Sequence, residues 1–150
     1  MVYIGIDPGK NGGYAVINEM LIEEEVETFP WDDKAFTEKM RECGCWRSEV
    51  RCCLEKVGAM PGQGVTSMFT FGKSAGFIEG VLTALKISYQ LVPPQTWKKA
   101  FSLNASKLNS IEVCQKLFPE VDLYRTERCK KPHDGMAEAL LMAEYARRKL

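Results

Sequence analysis

Histidine is almost missing from this chain: 150 residues hold one, His133, against 20 aspartates and glutamates. A zinc centre built from recurring His or Cys pairs is therefore not expected. The six cysteines do not supply one, because Cys43-x-Cys45 lacks the spacing of a ligand pair and Cys52-Cys53 lies inside an apolar strand pattern. Reduced thiols of a cytosolic protein are the expectation instead. Long apolar runs are absent too; none approaches the roughly 18 residues that cross a bilayer, so no membrane is expected among the partners. The opening Met-Val-Tyr-Ile-Gly-Ile-Asp has no basic region and no cleavage site, so a signal peptide is not expected. There is no internal repeat, no low-complexity tract and no linker, and a single domain over 1–150 follows.

Net charge is also absent, since 20 Lys and Arg offset 20 Asp and Glu. Its distribution is uneven. Residues 1–50 hold 5 basic and 11 acidic side chains, and residues 51–150 hold 15 and 9. Such asymmetry hints at a polyanionic partner.

The patterning is that of a mixed α/β domain. Val2–Asp7 is a short apolar run closed by an acid, and Pro8-Gly9-Lys10-Asn11-Gly12-Gly13 is a turn cluster. Tyr14–Asn18 and Met20–Phe29 read as two more strands, which makes an antiparallel meander. Asp32-Asp33 can cap a helix to about Cys43 with Ala35, Phe36 and Met40 on its inner face. Glu49–Val57 is a fourth strand and Ser88–Val92 a fifth. Ser67–Leu85 is a long helix between them, in which Gly72, Gly76 and Gly80 recur every fourth residue. Glycine is unfavourable inside a helix, so this spacing suggests close backbone approach to the sheet or to a second subunit. Pro93-Pro94 starts a short helix through Trp97, and Asn104 or Ser106 caps another to about Phe118. Pro119–Pro132 is an irregular basic loop, and a last helix runs from Asp134 to about Lys149. Three meander strands followed by alternating helices and strands predict a five-stranded mixed sheet, with two parallel strands added to the meander and helices on both faces.

Four carboxylates stand out. Asp134 and Glu138 are four apart on the last helix and share one of its faces, while Ala137, Leu140, Leu141 and Ala143 form the face that buries. Asp7 ends the first strand and Glu55 lies near the end of the fourth. If those strands are neighbours, the two acids are side by side at one end of the sheet, and a helix across that end adds the other two. Each acid alone has a plainer explanation: a turn opener at Asp7, a salt bridge at Glu55, an N-cap at Asp134, a solvated position at Glu138. Together, four carboxylates repel one another without cations. Hard oxygen ligands without His or Cys favour Mg²⁺ or Mn²⁺.

These residues carry a resemblance. Ile4-Gly5-Ile6-Asp7-Pro8-Gly9, Cys53-Leu54-Glu55 and His133-Asp134-Gly135-Met136-Ala137-Glu138-Ala139-Leu140 look like the RuvC-type Holliday junction resolvases of the RNase H-like superfamily, nearest to their phage-like branch. The resemblance spans nearly the whole chain. It implies an RNase H-like fold, a homodimer, two Mg²⁺ or Mn²⁺ ions per active site, and paired nicking of four-way DNA junctions. It also implies a cytoplasmic place, in a bacterial or phage-infected cell, and a role in recombination or repair. By this likeness Asp7, Glu55, Asp134 and Glu138 are the catalytic and metal-binding residues. The chain departs from the bacterial pattern at its last acid, which is Glu rather than Asp and follows its partner by four residues rather than three. His133, beside a helix start, reads more readily as structural than as catalytic.

Phosphate contact needs Lys and Arg. The candidates are Lys10, Lys73, Lys98, Lys99, Lys107, Arg125, Arg128, Lys130 and Lys131. Met60, Phe69 and Phe71 follow the second acid, in the region that meets the junction centre in resolvases, where apolar side chains can wedge between bases. One of the two phenylalanines is expected in the core. Alternative functions are a catalytically weak junction-binding module and a less selective branched-DNA or flap nuclease. An actin-like ATPase is disfavoured, because the chain is short for two lobes and has no second phosphate loop.

Overall fold

The computed structural model describes every residue except 21–23, 46–48 and 104–106; of residues 107 and 108 only the backbone is described. The elements are β1 (Val2–Asp7), β2 (Gly13–Asn18), β3 (Glu25–Pro30), α1 (Asp33–Cys45), β4 (Val50–Glu55), α2 (Val65–Ala84), β5 (Tyr89–Val92), α3 (Pro94–Ala100), α4 (Lys107–Leu117) and α5 (Asp134–Lys149). The proposed caps at Asn104 and Ser106 lie outside the described residues. Asp32 starts α1 by accepting the Ala35 amide at 2.8 Å, as an N-cap acid does.

The five strands form one sheet in the order β3-β2-β1-β4-β5. β1 pairs antiparallel with β2, and β2 with β3. β1 pairs parallel with β4, and β4 with β5. This is the mixed sheet that the sequence predicts.

Strand side chains alternate between faces, and the alternation builds two cores. Val2, Ile4, Ile6, Cys52 and Leu54 pack on one face with Phe36 and Met40 of α1 and Ile78 and Leu82 of α2. Tyr3, Ala15, Ile17 and Cys53 pack on the other with Trp97, Cys114, Phe118 and α5. The same alternation fixes two acids: Asp7 follows Tyr3 and Gly5, and Glu55 follows Cys53, so both belong to the α5 face.

α5 is central rather than amphipathic. The sequence predicts one buried face, but Gly135, Met136, Ala137 and all of Ala139–Glu144 are buried. The sheet covers one side of the helix and α4 packs on another. Leu140, Leu141 and Met142 are wholly buried, each contributing about 1.5–3 kcal/mol. Burial of that size, not any mutual preference of the acids, fixes where Asp134 and Glu138 stand.

Two expectations fail here. Ala35 is exposed, and α1 buries Cys43 with Phe36 and Met40 instead. Among the described residues nothing beyond the helix's own turns lies within 4 Å of a Cβ added at Gly72, Gly76 or Gly80, so of the two contacts expected for these glycines the one with the sheet is not made. The close approach is at Gly5, where an added Cβ would stand 2.0 Å from the Ala139 carbonyl oxygen, and at Gly135. Only glycine lets α5 lie this close on the central strand.

Candidate metal and nucleic-acid site

β1 and β4 run parallel with Ile6 beside Leu54, so the next residues, Asp7 and Glu55, end neighbouring strands at the same edge of the sheet. α5 begins at that edge. Its N-cap is His133, whose Nδ1 accepts the Met136 amide at 3.1 Å while its own amide donates to the Leu123 carbonyl at 2.7 Å. Histidine rather than Asp134 therefore caps the helix. Asp134 is the first helical residue, and Glu138 follows one turn on.

The four carboxyl groups act on one another. Burial and then repulsion from Glu55, Glu138 and Asp134 hold the Asp7 carboxyl well above the usual carboxylate range, with Lys98 opposing. Glu55 is also raised, mainly by burial; a hydrogen bond from Trp97 pulls the other way, Glu138 adds to the rise and Lys98 subtracts. Glu144, a buried acid further along α5, differs in having Arg147 and Arg148 at 2.5 and 2.6 Å. A concentration of acids with Lys98 beside them suits hard divalent ions by donor chemistry. As the side chains stand, no three His, Cys, Asp or Glu among the described residues are assembled at ligating distance. The two glutamates have hydrogen-bond and ion-pair partners of their own. Trp97 Nε1 donates to Glu55 Oε2 at 2.8 Å, and Glu138 Oε1 takes Lys98 Nζ at 3.1 Å and Ser110 Oγ at 3.2 Å.

Neither models of known protein families nor curated proteins give a match to the chain. Solved structures do. Thermus thermophilus RuvC in complex with a Holliday junction substrate superposes with a TM-score of 0.59 at 17% identity, over 99% of this chain and 97% of that one. A second structure of RuvC from the same organism gives a TM-score of 0.55 at 18% identity, over 99% and 96%. The fold is RuvC-like.

On this RuvC-like fold the basic candidates separate into groups. Lys10, Lys73 and Arg125 line one cleft of about 760 Å³, with Gly9, Trp31 and Phe71 also in its wall. Gly9 and Lys10 are two and three residues past Asp7, so the cleft reaches the turn that leaves β1; none of the four acids is in its wall. Lys98 is not free for phosphate; it is the counter-ion of Glu138 and lies 5.2 Å over the Trp97 ring. Lys99, Arg128, Lys130 and Lys131 are exposed. Lys130 belongs to a separate hollow with Asp122 and Cys129. The Lys107 side chain lies outside what is described.

Met60 and Phe69 are exposed, at 65% and 73%. Phe71 is half-buried against Gly9, so neither phenylalanine is in the core. Trp97 and Ser110, which hold the two glutamates, are not among the residues the sequence singles out. Trp97 had a signal: Pro93-Pro94 starts α3 at the acid-bearing end of the sheet, and the fourth residue of a helix begun there is within reach of it. Ser110 had none.

Proposed function

We propose that this chain is a divalent-metal-dependent endonuclease that resolves four-way or otherwise branched DNA by phosphodiester hydrolysis. The observation that carries the proposal is the charge environment of Asp7, whose carboxyl feels Glu55, Glu138 and Asp134 together. Asp7, Glu55, Asp134 and Glu138 would hold two Mg²⁺ or Mn²⁺ ions. A protein that only bound DNA would gain nothing from concentrating acids beside phosphates. Metal ions bound there would supply an activated water and stabilise the leaving oxygen. The residues themselves orient and hold. Asp7 and Glu55 are fixed by neighbouring strands, and Asp134 and Glu138 by a helix buried on nearly every side. Lys10, Lys73 and Arg125 would grip the phosphate backbone in the cleft they line, positioning the strand without reading its sequence. Met60, Phe69 and Phe71 would meet the branch point, and Lys99, Arg128, Lys130 and Lys131 would contact the arms. The expected products carry 5′-phosphate and 3′-hydroxyl ends.

The enzyme would act as a homodimer, so that two sites nick a junction in a pair. Support comes from α2, whose face at Gly72, Gly76 and Gly80 is open and whose Val65 and Phe69 are 85% and 73% exposed. The test is cleavage in Mg²⁺ of synthetic four-way, Y-shaped and linear DNA. Preference for the four-way junction supports the proposal. Equal cutting of all three points to a general nuclease, and binding without cutting points to a junction-binding module.

A further inference from the structure

Val92, the last residue of β5, lies in register with Glu55. Pro93 and Pro94 turn the chain into α3 at that point, and the helix delivers two consecutive side chains to two different acids. Lys98 goes to Glu138 and Trp97 goes to Glu55. Trp97 is wholly buried. A buried indole N–H needs an acceptor, and the acceptor here is Oε2 of Glu55 at 2.8 Å. Backbone carbonyls satisfy many buried tryptophans; this one is committed to an acid of the candidate metal centre. An indole N–H donates one hydrogen bond and neither accepts nor titrates. It therefore holds one carboxylate oxygen in a fixed place and leaves the other to turn towards a cation.

We propose that Trp97 is a positioning residue: its N–H pins Oε2 of Glu55 so that the glutamate meets a divalent cation through Oε1. This rests on the reading of the four acids as a metal centre. Outer partners of this kind typically change metal affinity about 10–100-fold when removed.

The test compares the wild type with Trp97→Phe and with a variant carrying the sulfur isostere benzothienylalanine at position 97. The isostere keeps the fused ring and removes only the N–H, so it remains informative if Trp97→Phe fails to fold. Mn²⁺ binding to the DNA-free protein is measured by calorimetry, and junction cleavage is followed over a range of Mg²⁺ concentrations. The expected result is at least tenfold weaker Mn²⁺ binding by the isostere and a matching rise in the Mg²⁺ needed for half-maximal cleavage. Cleavage should recover at saturating Mg²⁺, and junction binding should not change. Mn²⁺ affinity within twofold of a wild type that does bind would overturn the role of Trp97 alone. A wild type that binds no Mn²⁺ would overturn both this inference and the metal centre beneath it.

Discussion

Gly135 stands against the turn that follows β1: a Cβ there would lie 2.3 Å from the carbonyl oxygen of Asn11. The residue next to Asp134 is thus in backbone contact with the turn that leaves Asp7. Backbone cannot give way as a flexible side chain can, so Gly135→Ala must push α5 off the sheet. The expected cost is about 1–3 kcal/mol or more, read as a lower urea midpoint at unchanged slope. An unchanged midpoint would mean that the contact does not set the distance between the helix and the turn.

Asp7 gives a pH-dependent prediction. Its carboxyl titrates higher in the folded chain than in the unfolded one, so the folded state binds more protons between the two values. Its contribution is most favourable below the unfolded value and is lost as pH rises through the folded one. Asp7→Asn should therefore raise the Tm at neutral pH without divalent ions, by roughly 2–4 °C for each kcal/mol of charge burial and repulsion removed. Mg²⁺ should raise the Tm of the wild type and raise that of Asp7→Asn much less. Equal Mg²⁺ shifts in the two proteins would contradict a cation site at Asp7.

Much of this was legible in the sequence, for identifiable reasons. The meander, the parallel pair and the placement of Asp7 and Glu55 follow from short apolar runs, a Pro-Gly turn and strand alternation, all local signals. Asp134 and Glu138 follow from helical spacing. What failed depends on packing between distant segments. The rhythm of Gly72, Gly76 and Gly80 left the sheet open as their contact, whereas Gly5 and Gly135, with no rhythm, are where backbones meet within the chain. Lys98 looked like one more surface cation. Only the fold reveals that α3 turns it inward to Glu138 while Trp97, its neighbour, reaches Glu55.

The basic cleft at the turn after β1 predicts a salt signature. Lys10→Ala, Lys73→Ala and Arg125→Ala should each weaken junction binding and lower the slope of log affinity against log salt by roughly 0.9 per lost phosphate contact. Lys98→Ala should act differently, because its ammonium serves Glu138. Filter binding over a range of KCl concentrations distinguishes them; an unchanged slope for all three cleft variants would remove that cleft from the DNA path.

The open face of α2 predicts a separable change in assembly. A Cβ at Gly76 meets nothing among the described residues, so Gly76→Leu should fold with an unaltered circular dichroism spectrum. Sedimentation should show a shift from dimer towards monomer. A wild type that sediments as a monomer would contradict the proposed pairing of sites.

Cleavage and binding of one synthetic four-way junction, measured side by side for the wild type, Asp7→Asn and Glu55→Gln in Mg²⁺, test the central claim most directly. The predicted result is cleavage by the wild type, loss of cleavage in both variants, because each removes a ligand from the proposed two-metal site, and junction affinity at or above that of the wild type. Wild-type rates of cleavage by either variant would contradict it.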